Sequence, residues 1–188
     1  MSTTETREEP QVCDTVKHLR RKIVLDYDKV RQVVEVWRML GHRIVMTIGS
    51  WDLYHIGHAR YLAAALEHGD VLIAGVDSDR TMKLYKDPGR PAVPEDERME
   101  LLCYLNVDLV TLIDDVDDAG KWQYALLKLV QPDVFIAVED SYPDWQIQEI
   151  KANGAKEVIV LPRQAKTSTS DMIRNLLKNN IAKLLGKL

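Results

Sequence analysis

At 188 residues, 46% of them hydrophobic and 29% charged, the chain has the size and composition of one soluble globular domain with its own core, neither disordered nor membrane-embedded. A formal charge of −4 argues against a nucleic-acid scaffold, and no apolar run approaches the roughly 20 residues that cross a bilayer. Cys13 and Cys103 make no disulfide framework, and the polar, acidic start from Met1 to Val12 lacks the pattern of a secretory signal, so a reducing cytoplasmic setting is expected.

Residues 1–21 read as a loose tail, with the basic run His18–Lys22 as a solvated lead into a domain over 22–178. Val30, Val33, Val34 and Trp37 fall at helical spacing between Asp28 and Leu40, and Gly41 stops that helix. Arg43 to Ile48 is nearly continuous in apolar residues, as a strand buried on both faces must be. A helix running to about His68, with Gly69 as its stop, leads to a second buried strand, Asp70 to Val76. Met82 to Pro94 reads as a mobile loop carrying Lys83, Lys86 and Arg90. Helices over 94–104, 119–130 and 144–152 then alternate with strands over 107–113, 132–138 and 156–161. A last helix opens at Thr167-Ser-Thr-Ser-Asp171 and runs to about Leu177, followed by a short helical extension over 179–188. This order predicts an α/β fold: a Rossmann-like, doubly wound parallel sheet of about five strands in three α/β/α layers.

The chain is organised around residues 44–61. Gly49 cuts the apolar run, and His55-Ile-Gly-His58 falls where a helix begins. The first N–H groups of a helix have no partner inside it, and its dipole favours negative charge there, so an anion, best a phosphate, is the expected guest. Two histidines three apart in a first turn share one face and can reach one phosphate, while Gly57 between them lets backbone and ligand approach. Two other readings fit the same residues: ordinary surface histidines, or a zinc site built from Asp52, His55 and His58.

Several stretches, in order, resemble the cytidylyltransferase-like nucleotidyltransferases with their H-x-G-H signature. The nearest likeness is to the adenylyltransferase domain of bacterial ADP-heptose synthesis enzymes, with glycerol-3-phosphate cytidylyltransferases as a further comparison. The series runs from about Lys22 to Leu177. It includes Gly49-Ser-Trp-Asp-Leu-Tyr-His-Ile-Gly-His58, Gly69-Asp-Val-Leu-Ile73, Ser78-Asp79, Lys86, Arg90-Pro91, Glu97-Arg98, Pro132-Asp-Val134 and Ser168-Thr-Ser170. The resemblance implies an enzyme that transfers a nucleotidyl group: a phosphorylated substrate attacks the α-phosphorus of a nucleoside triphosphate and pyrophosphate leaves. A phosphate monoester is already mostly ionised at neutral pH, which explains why neither paired catalytic carboxylates nor a Ser-His-Asp arrangement is found.

Carried over residue by residue, the resemblance makes His55, His58 and Lys86 the catalytic set. Gly49, Ser50, Trp51, Asp52, Gly57, Arg90, Ser168, Thr169 and Ser170 become nucleotide-binding, and Asp79, Glu139 and Asp140 substrate-binding. It further implies Mg²⁺ bridging triphosphate oxygens, ATP or CTP as co-substrate, a small phosphorylated sugar or polyol as acceptor, and a homodimer. Asp52 either holds the ion or fixes the turn. Departures stand beside these likenesses. Ala137-Val-Glu-Asp-Ser-Tyr-Pro-Asp-Trp145 replaces a Lys-Gly-Gly-Asp-Tyr-like loop, Lys166 precedes Thr167 where a glycine is usual, and Trp51 takes the place of a Phe. A non-catalytic nucleotide-binding module on the same fold is the competing class of function.

Overall fold

The computed structural model describes residues 12–185 except Asp87 and Asp140. Five parallel strands, β1 (Ile44–Gly49), β2 (Val71–Asp77), β3 (Leu109–Ile113), β4 (Val134–Val138) and β5 (Glu157–Leu161), form one sheet in the order β3-β2-β1-β4-β5. Successive strand residues point to opposite faces. Ile44 and Met46 therefore join one core cluster with Val30, Val34, Leu126 and Phe135, while Val45 joins another with Leu62, Ala65, Met99 and Leu102.

Helices α2 (Tyr27–Met39) and α6 (Ala125–Val130) cover the first face; α3 (Ile56–Leu66) and α5 (Glu95–Cys103) cover the second. The three-layer doubly wound architecture expected from the sequence is thereby observed. The chain builds β1, β2 and β3 outward in one direction and then returns for β4 and β5, so the winding reverses between β1 and β4.

Four local expectations differ. Part of the stretch read as a loose tail is helical, with α1 at Asp14–Leu19 followed by a 3-10 turn. Arg20 pairs with Glu100, and Val24 N–H donates to the Val110 carbonyl, so this segment lies along the open edge of β3. The loop expected over 82–94 starts as helix α4 (Asp79–Tyr85): Ser78 caps it by accepting from Thr81 N–H at 3.0 Å, and Thr81 and Met82 are buried. The helix expected from Ala119 begins only at Ala125, because the Asp117 carboxylate draws in the Ala119 and Lys121 amides and Val116 bridges to Trp122. Finally, α8 (Thr169–Leu185) continues without a break near Leu177.

Candidate active site

β1 ends in a turn that the backbone does not adopt freely. Trp51 and Leu53 both have positive φ, 54° and 47°, a conformation that costs a side-chain-bearing residue energy and persists where surroundings enforce it. Two anchors enforce it here. The Trp51 indole is buried, donates from Nε1 to the Gly75 carbonyl at 2.9 Å, and meets the His58 ring edge-on at 5.7 Å. Asp52, 0% exposed, accepts from Arg90 Nε at 2.7 Å and from the Ala92 and Val93 amides at 3.0 Å. Burial works against its charge, but the two amides and Arg90 outweigh it, and the carboxyl lies below its ordinary range. Asp52 thus fixes the turn rather than facing a ligand.

The turn delivers the two histidines in a reciprocal cap. His55 Nδ1 accepts from Gly57 N–H at 3.0 Å, and His58 Nδ1 accepts from His55 N–H at 3.3 Å, with the rings stacked 4.1 Å apart. A ring that accepts at Nδ1 carries its proton on Nε2 when neutral, so each imidazole keeps one N–H to offer a guest. Neutrality is enforced. Burial, then the neighbouring His55 and Lys86, push His58 down to about 4, and burial lowers His55 as well. The pair is a set of donors at neutral pH, and formal positive charge comes from Lys86 and Arg90. Gly57 has a sharper reason than ligand approach: a Cβ there would lie 2.7 Å from His55 Cε1 and 3.1 Å from Ala165 Cβ, displacing the ring.

Lys86 follows the last turn of α4 and donates from Nζ to Ser50 Oγ at 2.9 Å. Burial lowers its pKa, an effect that Asp77 opposes. Underneath, Arg98 is fully buried, bonds Asp79 at 2.7 Å, and holds the carbonyls of Val93 and Ser50. On the far side, the start of α8 faces the same space. Ser168 Oγ accepts from Asp171 N–H at 3.1 Å and donates to its carboxylate, and Thr169 Oγ1 donates to the Asp52 carbonyl at 2.9 Å, tying one helix start to the other.

These groups line one cavity of about 700 Å³ at the carboxyl ends of β1 and β4, where the winding reverses and where open α/β sheets bind ligands. Among the expected residues, Gly49, Ser50, Trp51, His55, Gly57 and His58 reach it from the β1 side. Lys86, Arg90, Glu139, Ser168, Thr169 and Ser170 reach it from the others. Asp52 and Asp79 do not line it: the first holds Arg90 and the second Arg98. Lys166 is exposed and also outside the lining, and Asp140 lies outside the described residues. The zinc reading loses its third ligand, since the Asp52 oxygens are taken by Arg90 and two amides, and among the described residues no three His, Cys, Asp or Glu side chains are placed to hold a metal. The same lack of a free carboxylate set means that these residues do not fit a dedicated Mg²⁺ cage.

Asp77, Tyr85, Trp122, Tyr124 and Tyr142 also line the cavity, and the sequence alone assigns none of them a role there. Only Asp77, at the carboxyl end of an apolar strand, carried a legible positional signal.

A parallel sheet whose cavity lies at its winding reversal, with two helix starts and a lysine turned on it, defines a member of the Rossmann-like α/β class. The chain belongs to the cytidylyltransferase-like nucleotidyltransferases: the profile of the cytidylyltransferase-like family matches residues 46–176. The bifunctional protein HldE of Methylobacillus flagellatus is 37% identical over 159 residues, covering 81% of this chain and 31% of the relative. HldE of Aeromonas hydrophila is 36% identical over 156 residues, covering 81% and 32%. The chain thus spans about a third of the length of these relatives. Among solved structures, the lipopolysaccharide core biosynthesis protein of Thermoplasma volcanium superposes with a TM-score of 0.54 at 26% identity, over 68% of this chain and all of that one. A pantoate-beta-alanine ligase of Francisella tularensis, 14% identical with a TM-score of 0.54, shares the fold over 79% of this chain and 68% of its own. No helix among the described residues is long and apolar enough to cross a membrane.

Proposed function

We propose that the enzyme transfers AMP from ATP to a small phosphorylated sugar or polyol with release of pyrophosphate. An oxygen of the acceptor's phosphate forms a bond to the α-phosphorus, the bond from that phosphorus to the β-phosphate oxygen breaks, and pyrophosphate carries away the electron pair. The nucleophile is already anionic, so no base is required. The chain's task is to align two polyanions and to stabilise charge on the reacting oxygens.

The observation that carries this reading is the pair of neutral, capped imidazoles beside Lys86, facing the start of α8 across one cavity. His55 and His58 offer Nε2–H donors to the phosphates undergoing transfer. Lys86 and Arg90 offset charge, and the α8 start with Ser168–Ser170 receives the outer phosphates. Adenine rather than cytosine is assigned from the likeness to adenylyltransferase domains. Mg²⁺ belongs to the proposal as the companion of the triphosphate, held by the nucleotide's oxygens and water. A cytoplasmic setting and a homodimer belong to it too, the latter readable by sedimentation.

The test is pyrophosphate release across ATP, CTP, GTP and UTP, each crossed with phosphorylated sugars and polyols. Release with ATP and at least one such ester is expected. A chain that binds nucleotide yet releases pyrophosphate with no ester would be the non-catalytic module instead.

A further inference from the structure

Beyond Lys86 the cavity continues into a lobe that the triphosphate chemistry leaves unused. Its walls are the rings of Tyr85, Trp122, Tyr124 and Tyr142, with Asp77 at the end of β2. Tyr85 and Trp122 meet edge to face at 5.4 Å between centroids. All three tyrosine hydroxyls are committed as donors: Tyr85 to Asp77 Oδ2, Tyr124 to Glu149, and Tyr142 to the Ile48 carbonyl. Asp77 is 1% exposed and its Oδ1 has no hydrogen-bond partner. A buried oxygen left without a partner is costly, which explains itself when a guest completes it.

Resting on the nucleotidyl-transfer reading above, we infer that this lobe seats the acceptor's non-phosphate end and selects a hydroxyl-bearing head, one hydroxyl donating to Asp77 Oδ1 while the head's C–H face lies on the aromatic rings. Lys86 stands where the lobe meets the phosphate end, its Nζ 2.9 Å from Ser50 Oγ and 5.4 Å from the centre of the Tyr85 ring. A head seated in the lobe therefore presents its phosphate to Lys86 and the histidines. The unpaired group is an acceptor, so it discriminates. A carboxylate in the same place sets acceptor against acceptor away from water, where no tyrosine hydroxyl is free to donate to it. Asp115, on the same wall, adds to that repulsion.

The experiment measures binding of phosphomonoesters by calorimetry on the whole chain, with pyrophosphate release beside it. Glycerol 3-phosphate and pentose and hexose phosphates supply hydroxyl heads, 3-phosphoglycerate a carboxylate on the same carbon skeleton as the first, and phosphoethanolamine an ammonium. At least one hydroxyl ester should bind about tenfold or more tighter than 3-phosphoglycerate. Asp77→Asn, nearly isosteric, should shrink that ratio several-fold. Trp122→Ala, at the half-buried wall, should weaken the hydroxyl esters alone. The assignment is overturned if 3-phosphoglycerate binds as tightly as every hydroxyl ester, if phosphoethanolamine exceeds them all, or if Asp77→Asn leaves the ratio untouched. Binding in the expected order without pyrophosphate release would instead remove the nucleotidyl-transfer reading and leave the lobe's preference standing.

Discussion

The two ends of the cavity are built in opposite ways. At the phosphate end, His55, Gly57 and His58 come from one turn and act largely through local hydrogen bonds, so a few consecutive residues carry the geometry. At the aromatic end, Asp77, Tyr85, Trp122 and Tyr142 arrive from β2, α4 and two loops, and meet only because the sheet and its helices place them together. The difference teaches that, on the proposed reading, the nucleotide chemistry rests on a short motif. On the same proposed reading, acceptor choice is instead spread over a strand end, a helix and two loops, and the loops are free to vary.

The largest test of this contrast is at the motif. His55→Ala or His58→Ala should each lower kcat by on the order of 10²-fold or more, with acceptor affinity little changed; steady-state kinetics with both substrates varied separates the two. Lys86→Met should fall in the same range with an unchanged melting temperature, since Nζ makes a single bond to Ser50. A collapse in melting temperature would make the lysine structural. Gly57→Ala should cost roughly tenfold in kcat, because its Cβ meets the His55 ring at 2.7 Å.

The support beneath the motif should read out as stability. Asp52→Ala leaves Arg90, whose side chain is 15% exposed, and two loop amides without their acceptor, so a loss of about 3 kcal/mol in urea unfolding is expected. The smallest effect concerns pH. His58 titrates at about 4 folded against 6.5 for an unperturbed histidine. Between those values the unfolded chain binds more protons, so the contribution of His58 is complete above about 6.5 and is lost as pH falls toward 4. Melting curves of the parent and His58→Asn across that window should converge in slope at neutral pH and diverge below it.

Much of the fold was legible because buried parallel strands announce themselves: Ile44 to Ile48, apart from Thr47, and Val71 to Val76 carry no polar side chain. The phosphate end was legible for a related reason, since helix-start chemistry depends on neighbours in sequence. The misreadings share one cause. Ala119 to Tyr124 has acceptable helix residues, but the Asp117 side chain captures the amides a helix would use. Asp52 and Asp79 carry motif positions whose partners, Arg90 and Arg98, lie some 20 to 40 residues on, and only the folded chain shows that they serve those arginines. The neutrality of His58 was invisible for the same reason, as it follows from burial under Trp51 and Tyr54.

The fully buried Arg98 has a consequence for how this sequence can drift. Its guanidinium steadies the Ser50 carbonyl, while the Ser50 hydroxyl receives Lys86, so one fully buried cation supports the perch of another that lines the cavity. Replacing Asp79 alone strands that charge, and replacing Arg98 alone frees Ser50. Viable lineages are therefore expected to exchange the two positions jointly or to keep both.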